Sequence, residues 1–161
     1  MAKPSSIERF LAQARGLGLR PQVREFAQGT KTADDAARAI GCQVGQIVKS
    51  LVFMGGGTPF LALTSGPNRA DTSRLVELVG ATVRRATPEE ARLATGFAIG
   101  GTPPFGHPRP LRVLVDRDLL RYQQVWAAAG TPNSVFSITP EELVRASGGQ
   151  PADFREDPGS S

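Results

Sequence analysis

The sequence holds one cysteine, Cys42, and one histidine, His107. A lone thiol cannot close an internal disulfide, and one Cys with one His cannot assemble a zinc set, so neither a staple nor a metal is expected. No 18-residue apolar run occurs, and the first twenty residues, which carry Lys3, Glu8, Arg9 and Arg15, do not read as a signal peptide, so a cytoplasmic protein with no membrane partner is expected. P-loop, GxGxxG and HExxH patterns are absent, and no cofactor is expected. Lysine is scarce: of nineteen basic residues sixteen are Arg, leaving Lys3, Lys31 and Lys49. That scarcity makes any lysine inside an apolar segment stand out.

What is present fits a folded chain. The 161 residues suit one domain, 40% are hydrophobic and 21% charged, and the net charge of +4 with a pI near 10.0 favours polyanionic partners without proving them. Ile7, Phe10, Leu11, Ala14 and Leu17 recur at helical spacing. Val23 to Phe26 reads as a strand, and Thr32 opens a helix that ends at Gly41. Gln46 to Met54 and Pro59 to Ser65, joined by Gly55-Gly56-Gly57, predict a central hairpin. Asp71 to Val79 reads as a helix and Thr82 to Arg85 as a strand. Thr87-Pro88-Glu89-Glu90 and Thr139-Pro140-Glu141-Glu142 carry helix-start chemistry. Phe97 to Ile99, Leu111 to Val115, Val125 to Ala129 and Val135 to Ile138 are further strand candidates, and 147–161 is expected to be a partly flexible tail. Irregular alternation around a hairpin predicts an α+β domain spanning 1–161.

Two segments could carry chemistry. In Gln46 to Phe53, period-two alternation sets Lys49 on one face with Ile47, Leu51 and Phe53, where an ammonium needs a cleft or a partner to offset desolvation; the plainer reading is a stem that snorkels to water. Between Gly100 and Pro110, three glycines and four prolines make a rigid loop whose amides could grip a phosphate or a carbonyl oxygen. His107 lies in that loop, but no nucleophile with a supporting carboxylate can be placed beside it, so it reads as incidental. Cys42, at a helix end, reads as a small buried hydrophobe. Arg69, Arg74, Arg84 and Arg85 surround one helix–strand unit and are candidate phosphate contacts, against the plainer reading of solvated arginines.

Taken together, TADDAARAIG (32–41), QIVKSLV (46–52), ATGFAIGGTPPFG (94–106) and VLVD (113–116), in this order, resemble the YbaK/ProX family of prolyl-tRNA editing domains. The resemblance spans about residues 7 to 146. It implies a strongly bent, partly barrel-like mixed sheet surrounded by helices. It also implies a free-standing deacylase that hydrolyses the ester between a wrong amino acid and the 3′-terminal adenosine of tRNA, usually tRNA for proline. The family roles transfer to Lys49, which positions the tRNA end, and to Gly100 and Gly101 through Thr102, Pro103 and Pro104, whose backbone binds the aminoacyl carbonyl. Members that remove cysteine typically carry a serine and a Gly-Lys-Arg-Gly-like turn where this chain has Ala127-Ala128-Ala129-Gly130-Thr131-Pro132-Asn133. Ser50 and Asn133 are the candidates to line the amino-acid pocket.

The reading that follows is trans-editing of tRNA-Pro charged with Ala, Cys or Ser, with prolyl-tRNA synthetase as a possible partner. An activated ester needs little more than a fixed carbonyl, amide donors, a cation and an ordered water, which suits a chain with no triad and no metal set. The alternatives are a non-catalytic tRNA- or synthetase-binding module on the same scaffold, or a small-nucleotide binder.

Overall fold

The computed structural model describes residues 3–27 and 32–157. Helix α1 (Ser6–Gly16) starts where the Ser5 side chain accepts the Glu8 amide, and β1 (Val23–Glu25) follows. Thr32 caps α2 (Ala33–Ile40) through the Asp35 amide, and Gly41 ends it in the left-handed conformation, as its sequence predicts. The hairpin β2 (Val48–Gly55) and β3 (Thr58–Ser65) comes next, then α3 (Thr72–Val79), β4 (Val83–Arg85) and α4 (Pro88–Thr95). The second half holds β5 (Arg112–Asp116), β6 (Val125–Ala128), β7 (Ser134–Ile138), α5 (Pro140–Ser147) and β8 (Gln150–Ala152).

The strands form two sheets, β4-β2-β3-β5-β8 and β1-β7-β6. In the larger, β3 runs parallel to β5 and β5 parallel to β8, while the other pairs are antiparallel, so the mixed α+β class holds and the hairpin is interior. The barrel-like expectation does not hold. Neither sheet closes, and between them only an isolated parallel bridge, Ile47 to Trp126, is made among the described residues.

Both faces of the larger sheet are covered. On one, Val48, Val52, Leu61, Leu63, Val113 and Val115 pack with α1, β6, β7 and α5; on the other, Phe53, Phe60, Ala62 and Leu114 pack with Leu75 of α3 and with Phe154. Two further expectations are corrected. Phe97 to Ile99 is not a strand: the Thr95 hydroxyl bonds Ala91 and Phe97 instead, and the chain turns at Gly96 with φ +81°. The stretch after 147 is not wholly a tail, because β8 pairs with β5 and Phe154 is fully buried; residues 158–161 lie outside the described residues.

Phe105 ties the Gly/Pro loop to the core. Its ring stands 5.5 Å from that of Phe10 and 5.7 Å, edge-on, from that of Phe136, contacts that add to burial in holding the loop still.

Candidate active site

A cavity of about 490 Å³ opens where the two sheets meet. Its wall takes Ile47 to Val52 from β2 and the residue before it, Arg85 and Ala86 after β4, Ile99, Gly100 and Thr102 from the loop, and Trp126 to Ala128 from β6. Lys49 and Ser50, Arg85, and Gly100 with Thr102, from three separate stretches of the chain, therefore line one space.

Lys49 is half-buried, and its ammonium donates to the backbone carbonyl of Asn68 at 2.6 Å. Burial lowers its pKa from the ordinary 10.5, the charges of Arg69 and Arg85 lower it further, and Asp116 opposes them. The Asn68 carbonyl is itself fixed. Its side-chain amide donates to Asp116 Oδ2 and Asp118 Oδ2, both at 2.8 Å; Asp116 also accepts the Ser65 amide at 3.0 Å, and Asp118 accepts Arg155 at 2.8 Å. The plainer reading of Lys49, a stem that reaches water with only solvent around its charge, does not describe this geometry.

Ser50 points a hydroxyl into a buried position with no hydrogen-bond partner among the described residues. A buried hydroxyl left unpaired costs free energy, and Ser50 carries that cost in a residue of the cavity wall.

The loop glycines divide. Gly100 adopts φ +87° and lines the cavity, and neither its amide nor that of Thr102 meets an acceptor among the described residues. The Gly101 amide is already taken by Ala98 at 3.0 Å, and a Cβ on Gly101 would lie 2.7 Å from the Thr131 backbone, so this glycine is needed for close packing against the 130–131 turn. Pro103 and Pro104 are buried behind the wall. His107 Nε2–H donates to the Pro103 carbonyl at 2.8 Å, which tethers the loop, and burial lowers the histidine's pKa against the opposing effect of that bond. Asn133 stays off the wall, its carbonyl accepting the Phe26 amide at 2.8 Å, while its neighbours Pro132 and Ser134 line the cavity.

The four arginines also part company. Arg85 lines the cavity, and Arg69 stands near enough to influence Lys49; neither is ion-paired among the described residues. Arg74 instead binds Asp71, Asp153 and Asp157, and Arg84 grips Glu90 through two 2.8 Å hydrogen bonds that hold this carboxyl at about 2. Sequence reasoning missed Asn68 and Trp126. Asn68 sits in Ser65-Gly66-Pro67-Asn68, which signals only a turn, and Trp126 in a strand where an indole reads as core.

The family model described as the aminoacyl-tRNA editing domain matches residues 27–146. The chain belongs to that family. A solved structure described as "a putative trans-editing enzyme for prolyl tRNA synthetase" shares the editing fold with a TM-score of 0.91 and 48% identity, over 98% of this chain and 100% of that one. YwhH of Bacillus subtilis (strain 168) is 36% identical over 75% of this chain and 78% of its own length. EbsC of Enterococcus faecalis (strain ATCC 700802 / V583), named in full a "Putative Cys-tRNA(Pro)/Cys-tRNA(Cys) deacylase", is 25% identical over 76% of each. Among the described residues of this editing domain no helix is long and apolar enough to cross a membrane, and no group of three or more His, Cys, Asp or Glu could hold a metal ion.

Proposed function

We propose that this editing domain is a trans-acting deacylase that hydrolyses the ester of mischarged tRNA-Pro carrying Ala, Cys or Ser. The observation that carries the reading is the convergence of Lys49, the unpaired Ser50 hydroxyl and the open amides of Gly100 and Thr102 on one cavity. In this reading the two amides hold the ester carbonyl and stabilise the oxyanion as water adds to its carbon. The carbon–oxygen bond to the ribose then breaks, and the 3′-oxygen leaves with the proton that the water gave up. In the same reading Lys49 and Arg85 hold the sugar–phosphate end, and Ser50 lies beside the amino-acid side chain.

The carboxylate on the wall, Asp34, comes from α2 and not from the Gly100 loop, and this reading gives the ordering of the water to the ribose 2′-hydroxyl. Equal turnover of a substrate ending in 2′-deoxyadenosine would overturn that step. Arg69 and Arg85 extend the positive surface for the acceptor end, and a prolyl-tRNA synthetase is the partner that would deliver the substrate.

The test is deacylation of tRNA-Pro charged separately with alanine, cysteine, serine and proline, by wild type and by Lys49→Ala. Release of one or more of the wrong amino acids but not of proline, lost in the variant, is the expected result. Release of none would leave a binding module.

A further inference from the structure

The cavity has a second end that the reaction above does not use. Trp126, on β6, lines the wall and packs against Ile47 and Ala36, with Asp34 of α2 on the same wall. Ile47 and Trp126 are bridged backbone to backbone, and Lys49 lies two residues on from Ile47, about 7 Å along the extended chain and on the same side. The wall thus carries an indole and an ammonium from strands of the two sheets that meet at this bridge. Arg24, which is not part of the wall, lies 5.6 Å from the centres of both the Phe26 and Trp126 rings and holds the indole from outside the cavity. A fixed aromatic ring beside a cation is how proteins take an unpaired nucleobase and its backbone.

We propose that Trp126 is the stacking platform for the terminal adenine of the aminoacyl-tRNA. This assignment rests on the deacylase reading for its ligand. The cavity is far larger than an alanyl, cysteinyl or seryl side chain needs, and in this assignment the base takes the Trp126 end while the ester lies toward Gly100 and Lys49.

Trp126 is the sole tryptophan of the chain, so its fluorescence reports on this end of the cavity alone. Adenosine and the trinucleotide CCA are titrated into the full chain, with methyl riboside, which lacks the base, as control. Saturable quenching by both base-bearing probes and none by the riboside is the expected result. No quenching by CCA while mischarged tRNA is still hydrolysed would overturn the platform and leave the deacylase intact. Quenching without hydrolysis of any charged tRNA would support the platform and fail the deacylase.

In the deacylation assay, Trp126→Ala should raise KM about 5- to 100-fold with kcat little changed, and Trp126→Phe should recover most of that loss. Equal loss in both variants, with thermal melting unchanged, would overturn the assignment.

Discussion

The Asn68 carbonyl that accepts the Lys49 ammonium at 2.6 Å belongs to the residue whose side chain bridges Asp116 and Asp118. A buried carboxylate, Asp116, thereby sets the place of a cation it does not touch. Replacing Asn68 with alanine strips one donor from each aspartate. Stability should fall by about 1–3 kcal/mol in urea unfolding, and single-turnover deacylation should slow more than in Asn68→Gln, which keeps an amide to donate to the two carboxylates.

Ser50→Ala should behave in the opposite way on stability. The hydroxyl has no partner among the described residues, so its removal should leave the melting temperature unchanged or raised, while discrimination among alanyl, cysteinyl and seryl esters changes by an amount that competition between them measures. A drop in melting temperature would mean that the hydroxyl is bonded within the fold.

Lys49 should titrate below 10.5, and Arg85→Gln should raise its pKa because one repelling charge is gone. Asp116→Asn should lower it by removing the opposing attraction. NMR of the lysine side chain checks both directions. A cation disfavoured by folding binds its proton less tightly in the folded state, so the contribution of Lys49 to stability should rise with pH between the lowered folded value and 10.5, and Lys49→Met should flatten that slope.

The arginines should differ in their effect on tRNA affinity. Arg69→Gln and Arg85→Gln should each reduce the slope of log affinity against log salt by about 0.7–0.9, the change expected for one lost phosphate contact. Arg74→Gln and Arg84→Gln should change it less, since those guanidinium groups already face carboxylates. Equal slopes for all four variants would refute the division.

How much could be read from the residues follows from how local each cause is. Thr32, Thr87 and Thr139 cap helices through amides three residues ahead, so short motifs disclosed α2, α4 and α5. The Lys49 strand and the Gly100 loop stood out because a lysine among Ile, Leu and Phe and a glycine–proline run are each visible in a few residues. Nothing local linked Lys49 to Asn68, or Asn68 to Asp116, contacts made across nineteen and forty-eight positions. The two-sheet arrangement escaped for the same reason: β1 pairs with β7 across more than a hundred residues, and period-two patterning does not say which sheet a strand joins. Phe97 to Ile99 has strand composition, yet the Thr95 hydroxyl bonds the backbone locally and prevents pairing.

The short run after α5 lies beyond the 27–146 stretch that sequence similarity marks out, yet it backs the turn on which the lysine depends. Phe154 O takes the Asp71 amide at 2.6 Å, Glu156 N reaches Arg69 O at 2.7 Å, and Arg155 secures Asp118. A chain trimmed to the similarity boundary would keep every residue on the cavity wall and still lose the brace behind Lys49. It would bare the edge of β5 and leave Leu75 and Phe60 without the ring of Phe154. The unit that folds is wider than the unit that is recognised, and any catalytic fragment has to be cut to the former.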